Sequence, residues 1–141
     1  MKIAVIGHSC SGKTLLTNTL AKLYPDYIIF RADQYKGPDF ETAAHPLLDQ
    51  INRAGDRIIC EGVQTAHLLR LGAETRSLFF DVVINCHTDE KTQMSRYITE
   101  RDATKWRYIP SFNKSLDTVF MGYRNVVTAM NKAPVFLDYK T

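Results

Sequence analysis

Two kinds of hydrophobic pattern alternate along the chain. Short apolar runs rich in branched side chains predict strands at 2–6, 27–31, 57–61, 81–86 and 134–138. Because these runs are nearly unbroken by polar residues, they are typical of strands covered on both faces in a parallel sheet. Longer stretches with apolar residues at helical spacing predict helices at 14–23, 46–55, 89–102 and 115–132. Strand and helix in alternation predict an α/β fold with right-handed crossovers.

The predicted helix ends have ordinary capping residues. Thr88 is placed to cap the helix that starts at residue 89, and Ser115 to cap the one that starts there. Gly55 is placed to end the helix that starts at residue 46.

Composition narrows the class of protein. The 141 residues are 45% hydrophobic and 23% charged, with no repeat or linker, which predicts one domain over 1–141. No apolar run approaches the ~20 residues that a membrane span needs. The N-terminus lacks the layout of a secretory signal, and the three cysteines are far apart, so we expect reduced thiols and a cytoplasmic protein. The net charge of +3 permits a polyanionic partner without requiring one.

Residues 7–14 read GHSCSGKT, the full GxxxxGK[ST] phosphate-loop motif, between a predicted strand and a predicted helix. Its backbone N–H groups would form an anion-binding nest at the positive end of the helix. Lys13 would add charge at the β- and γ-phosphates, and the Thr14 hydroxyl would ligate Mg²⁺. This context favours phosphate binding over a plain glycine-serine turn, with Cys10 supplying only its amide. The predicted nucleotide-binding residues of the loop are Gly7, Ser9, Cys10, Ser11, Gly12, Lys13 and Thr14.

Two carboxylates follow predicted strands. Asp33 ends the second strand and Glu61 the third, so both should face the phosphate loop at the carboxyl edge of the sheet. We assign Asp33 to acceptor binding and to the base role. Glu61 would act in the outer shell of the metal or as the base instead. Either residue could also be a plain polar strand end or helix cap.

The segment around residues 89–113 carries cations suited to a transferring phosphoryl group. Five residues separate Arg96 from Arg101, which places them roughly 140° apart, so an unbroken helix could not aim both at one phosphate. Arg101 is the preferred catalytic arginine, because Arg96 could instead pair with Glu100. Residues from about 101 to 113 are predicted to form a short lid, in which Arg107 would contact the nucleotide.

These motifs together resemble the nucleoside and nucleotide kinase branch of the P-loop proteins. The Glu61-Gly62 pair is similar to that of uridine kinases and phosphoribulokinases, and RYITER at 96–101 resembles the lid helix of thymidylate and deoxynucleoside kinases. Switch-GTPase motifs of the DxxG and NKxD type do not occur in the sequence. The resemblance implies a three-layer α/β/α P-loop fold with a five-stranded parallel sheet in the order 2-3-1-4-5. It also implies ATP with Mg²⁺ and transfer of the γ-phosphate to a small acceptor.

The acceptor site is expected in residues 34–46, with the segment 62–76 as a second contributor. Arg31 could hold an acceptor phosphate or pair with Asp33. The first interpretation is an ATP-dependent kinase that acts on a hydroxyl or phosphate of a nucleoside, nucleotide or related small compound. A kinase acting on a polynucleotide end or modified base is a second interpretation, and a non-catalytic nucleotide-binding regulatory module is a third. The sequence does not indicate an oligomeric state.

Overall fold

The computed structural model describes the whole chain except Lys36 and Asp102, and except the side chains of Glu41, Ala103 and Lys105. The predicted helix end at residue 102 therefore lies outside the described residues. The strands are β1 Lys2–Gly7, β2 Ile28–Arg31, β3 Ile58–Glu61, β4 Val82–His87 and β5 Val135–Lys140. The helices are α1 Lys13–Leu23, α2 Phe40–Ala54, α3 Thr65–Glu74, α4 Glu90–Glu100 and α5 Ile109–Ala129. Single 3₁₀ segments span Ala32–Gln34 and Ala103–Tyr108.

The strands form one parallel sheet in the order β2-β3-β1-β4-β5. This confirms the α/β class and the order 2-3-1-4-5. The register brings the ends of neighbouring strands close together, since Arg31 lies beside Glu61 and Gly7 beside Cys86. The register thereby brings side chains at the ends of β1, β2 and β3 to one edge of the sheet, as expected for Asp33 and Glu61.

Helices cover the two faces of the sheet unequally. Side chains of α2, α3 and α5 pack with the sheet into the larger core cluster, which includes Leu47, Leu68, Tyr123 and Val127. Leu16 and Leu20 of α1 pack on the opposite face against a smaller cluster around Ile3, Val5 and Ile59. Burial of these apolar side chains, at roughly 1.5–3 kcal/mol each, is the main stabilising term of the three-layer structure.

Helix starts differ from the sequence prediction where a local cap is stronger than the apolar pattern. Helix α2 begins at Phe40 rather than at residue 46, because the Asp39 carboxylate accepts the Thr42 N–H at 2.7 Å, and Pro46 lies inside the helix. Helix α4 is capped by Asp89, whose carboxylate accepts the Thr92 N–H at 2.8 Å. Thr88, the predicted cap, instead donates its hydroxyl to the carbonyl of Thr141 at 3.0 Å.

Helix α5 begins at Ile109 and not at Ser115, so the predicted lid segment is partly helical. Pro110 in its first turn needs no N–H partner there, which favours the earlier start. Helix α3 was expected only as a segment that contributes to the acceptor site. Its Gly72 packs closely on Leu78, since an added Cβ would lie 2.9 Å from the Leu78 Cβ.

Candidate active site

A cavity of about 320 Å³ opens at the carboxyl edge of the sheet, between the loop after β1 and the end of α4. The phosphate loop, both predicted carboxylates and both predicted arginines line it. Its lining residues are Ser9, Cys10, Ser11, Gly12, Lys13, Thr14, Leu15, Asp33, Glu61, Val63, Arg96, Glu100, Arg101 and Thr141.

The loop needs glycine at two positions. Gly7 has φ of 148°, and an added Cβ would lie 2.3 Å from the carbonyl oxygen of Cys86 in β4. No side chain fits there, so the close approach of the loop to β4 requires glycine. Gly12 has φ of 95° immediately before α1. Cys10 also has a left-handed backbone, with φ of 60°, although it carries a side chain.

Lys13 lies inside the loop. Its ammonium donates to the carbonyl of His8 at 2.6 Å, and only 7% of the residue is exposed. Burial lowers the pKa of Lys13, while the nearby carboxylates of Asp33 and Glu61 oppose that shift. An anionic ligand in the cavity would favour the charged form further.

The two carboxylates occupy different environments. Glu61 is buried, and its carboxylate accepts a hydrogen bond from the Arg31 guanidinium at 2.8 Å. Arg31 also donates to the side-chain oxygen of Asn18 at 2.9 Å. Arg31 therefore pairs with Glu61 and not with Asp33, as adjacent strands bring the two ends together. Asp33 is exposed beside Gly62, where an added Cβ would lie 2.8 Å from its carboxylate oxygen. Within the described part of the chain, no hydrogen bond or ion pair holds the Asp33 carboxylate.

Arg96 and Arg101 both reach the cavity because α4 ends between them. The helix ends at Glu100, and Arg101 has an extended backbone with φ of −127° and ψ of −167°. Arg96 donates to the carbonyl of Cys10 at 3.1 Å rather than pairing with Glu100. The carboxylate of Glu100 lies 4.0 Å from the Cys10 sulfur.

Arg107 is not among the described residues that line the cavity. Its side chain is exposed, and its guanidinium carbon lies 5.8 Å from the ring centroid of Tyr108. Contact between Arg107 and a nucleotide, and closure of residues 101–113 as a lid, stay predictions.

Two residues that contact the phosphate loop were not predicted from the sequence. Gln93 is buried and donates to the carbonyl of Ser9 at 2.9 Å, and the hydroxyl of Thr141 donates to the carbonyl of Ser11 at 3.1 Å. The spacing of Gln93, Arg96 and Glu100 is a signal that could have found the first, because residues three and four apart lie on one helix face. No such local signal marks Thr141.

Oxygen donors suited to Mg²⁺ line the cavity at Thr14, Asp33 and Glu61. Across the residues that the structure describes, no three His, Cys, Asp or Glu side chains are grouped closely enough to hold a metal by themselves. This fits Mg²⁺, which usually binds through one or two protein oxygens together with substrate phosphates and water.

Solved structures with the same fold were found, although the sequence matches no protein-family model and no curated protein. A shikimate kinase from Acinetobacter baumannii in complex with shikimate is 15% identical, with a TM-score of 0.63 over 99% of this chain and 83% of that one. A deoxyadenosine kinase from M. mycoides with bound dATP is 18% identical, with a TM-score of 0.56 over 99% and 91%. The chain has the fold of P-loop small-molecule kinases. The YorR protein from Bacillus subtilis, in complex with phosphorylated GDP, is 16% identical, with a TM-score of 0.55 over 99% and 85%.

These similarities confirm the predicted resemblance in fold to nucleoside and small-molecule kinases. None of the helices described is both long and apolar enough to cross a membrane.

Proposed function

We propose that this protein is an ATP-dependent kinase that transfers the γ-phosphate to a hydroxyl or phosphate of a small acceptor. The observation that carries the proposal is the convergence of the phosphate loop, Asp33, Glu61 and Arg101 on one cavity. Anion-binding amides, a base and a cation are the three requirements of phosphoryl transfer. The kinase fold of the solved structures supports the same reaction class.

The loop would hold the donor. Its amides and the Lys13 ammonium would bind the β- and γ-phosphates. The hydrogen bond from Lys13 to the His8 carbonyl would then weaken. Thr14, with Glu61 nearby, would hold Mg²⁺, which would supply positive charge beside the phosphates when bound.

Asp33 suits the base role better than Glu61, because Glu61 is already engaged by Arg31. In the proposed reaction the acceptor hydroxyl oxygen attacks the γ-phosphorus, and the bond to the β–γ bridging oxygen breaks. ADP leaves with that electron pair, and the hydroxyl proton passes to the Asp33 carboxylate. The guanidinium of Arg101 would stabilise the charge that spreads over the equatorial oxygens.

Three aromatic rings at the carboxyl edge of the sheet, outside the residues that line the cavity, are our candidates for contact with a planar acceptor such as a nucleoside. Phe40, His67 and Phe112 lie in the first turns of α2, α3 and α5, where Phe40 contacts His67 at 5.3 Å and Phe112 at 5.8 Å between centroids. Aromatic faces are the surfaces on which bases stack.

Free cysteines at positions 10, 60 and 86 support a cytoplasmic location.

Acceptor-stimulated release of ADP from MgATP tests this proposal. The panel holds nucleosides, nucleoside monophosphates, shikimate and 5′-hydroxyl oligonucleotides, and Lys13→Ala is the blank. We expect one small acceptor to stimulate release, and we expect Asp33→Asn to lower that rate by about 10²–10⁴-fold, the usual contribution of a general base. Lys13→Ala turnover equal to wild type would refute the proposal, as would tight MgATP binding with no acceptor stimulation.

A further inference from the structure

Three successive carbonyls of the phosphate loop are held by side chains from outside the loop. The Ser9 carbonyl accepts from Gln93 at 2.9 Å and the Cys10 carbonyl from Arg96 at 3.1 Å. The Ser11 carbonyl accepts from the Thr141 hydroxyl at 3.1 Å. Gln93 and Arg96 both belong to α4, so one helix donates hydrogen bonds to two consecutive peptide groups.

A held carbonyl fixes more than itself. The carbonyl of one residue and the N–H of the next share one rigid plane and point in opposite directions. Gln93 therefore fixes the plane that carries the Cys10 N–H, and Arg96 fixes the plane that carries the Ser11 N–H. These are amides of the predicted phosphate nest.

The residue between those two planes has an unfavourable backbone. Cys10 has φ of 60°, in the left-handed region that residues with a side chain rarely adopt. A rotated Ser9–Cys10 peptide would relieve this conformation and turn the Cys10 amide away. The hydrogen bonds on both sides of Cys10 oppose that rotation.

The orientation of the Gln93 amide is itself fixed. Gln93 is 2% exposed and exchanges two hydrogen bonds with Asn113 of α5: its nitrogen donates to the Asn113 oxygen at 3.2 Å, and the Asn113 nitrogen donates to its oxygen at 2.8 Å. A flipped Gln93 amide would place its oxygen against the Ser9 carbonyl, where neither atom can donate. The Ser9 carbonyl thus selects the orientation in which Gln93 donates, and the two hydrogen bonds with Asn113 hold the Gln93 side chain in place beside the loop.

We propose that the Gln93–Asn113 pair is a positioning element that sets the phosphate affinity of the loop and couples it to α4 and α5. The inference rests on the proposed function in one respect, that the loop binds polyphosphate. Neither residue touches the substrate in this mechanism. Movement of α4 or the start of α5 would change the affinity for the donor through Gln93.

Binding of MgATP, followed by calorimetry, tests the pair separately from catalysis. Gln93→Met keeps the length of the side chain and removes its donor, so we expect affinity to fall about five- to tenfold, as for one lost hydrogen bond. Asn113→Leu should weaken binding in the same direction, and Asn125→Leu on the exposed face of α5 is its matched control. Melting temperatures of all variants are measured alongside.

Rescue distinguishes positioning from mere stabilisation. Glycine adopts the left-handed region without cost, so in a Cys10→Gly background Gln93→Met should change affinity less than twofold. Unchanged affinity in Gln93→Met would overturn the inference, and so would an equal loss with and without Cys10→Gly. Failure of the wild type to bind MgATP would overturn both proposals, whereas binding without phosphoryl transfer would overturn the proposed function alone.

Discussion

Among single residues, Cys10 reports most directly on the loop. It is half-buried and lines the cavity, whereas Cys60 and Cys86 are buried in the sheet. Burial raises the pKa of Cys60 to about 12 and that of Cys86 to about 11, so both stay protonated at neutral pH. Only thiolates react readily with alkylating reagents.

We therefore predict that iodoacetamide at pH 8 modifies Cys10 alone in the folded protein. Because phosphates bound in the loop would cover the residue, MgATP should slow modification about tenfold or more at saturation. Mass spectrometry of timed samples measures both effects, and Cys10→Ser is the unmodified control. Equal rates with and without MgATP would show that nucleotide does not bind at this loop.

Residues of the loop could be predicted from sequence because the motif is local. Spacing and residue type within 7–14 predict glycine at Gly7 and Gly12, although they do not predict the left-handed backbone of Cys10. The partner of Arg31 could not be predicted in this way. Glu61 is 30 residues away along the chain, and only the β2–β3 register shows that the two side chains meet.

Among the elements, α4 matters most for the site, because its C-terminal break lets two arginines reach one cavity. The spacing of residues along the chain does not predict this helix end, because the helical pattern continues through RYITER. Arg96 donates to the loop backbone, whereas Arg101 lines the cavity, where we propose that it acts on the transferring phosphate.

We predict that Arg101→Ala lowers kcat about 10²–10³-fold and changes the KM for MgATP little, because its charge acts on the transition state. Arg53→Ala, exposed in the last turn of α2, is the matched control. Steady-state kinetics with the acceptor found above provide the measurement. A rise in KM at unchanged kcat would instead assign Arg101 to ground-state binding of the nucleotide.

The hydrophobic pattern predicted every strand and every helix except α3, but it did not predict where the elements end. All five strands lie within a residue or two of their predicted bounds, because each is a short apolar run. Burial on both faces was predicted as well, and it is wrong for the edge strands, since β5 is largely exposed and β2 is only partly buried. The starts of α2 and α5 were missed because Asp39 and Pro110 extend each helix beyond its apolar stripe.

For the molecule as a whole, the buried thiols predict weaker stability at alkaline pH. An unfolded chain ionises these thiols near their ordinary pKa of 9.0, while the folded chain holds Cys60 and Cys86 protonated to about 12 and 11. Their raised folded-state pKa values contribute stability that is present below pH 9 and is lost as the pH rises toward 11. Each thiol adds at most about 1.4 kcal/mol per pH unit to that loss.

Urea unfolding of the wild type and of a Cys60→Ala, Cys86→Ala double variant between pH 8 and 10.5 measures this effect. The double variant should be less stable at pH 8, because two buried sulfurs are lost, and its free energy of unfolding should fall more slowly with pH. Comparison at each pH cancels the titration of lysines and tyrosines common to both proteins. Parallel curves would show that the thiols do not contribute.

The arrangement of the sheet could be predicted from the order of elements, but the acceptor could not. The proposed donor site is one continuous loop, whereas the ring cluster of Phe40, His67 and Phe112 comes from three separate helices. Its shape depends on how α2, α3 and α5 pack, and no sequence spacing records that packing.

Transfer of labelled γ-phosphate from MgATP to a small acceptor, with the product identified by mass spectrometry, decides whether the protein is a kinase. We expect label on the acceptor with wild-type protein, much less with Asp33→Asn and Arg101→Ala, and none with Lys13→Ala. Label found only as inorganic phosphate, at a rate that no acceptor changes, would show that the protein does not phosphorylate these acceptors.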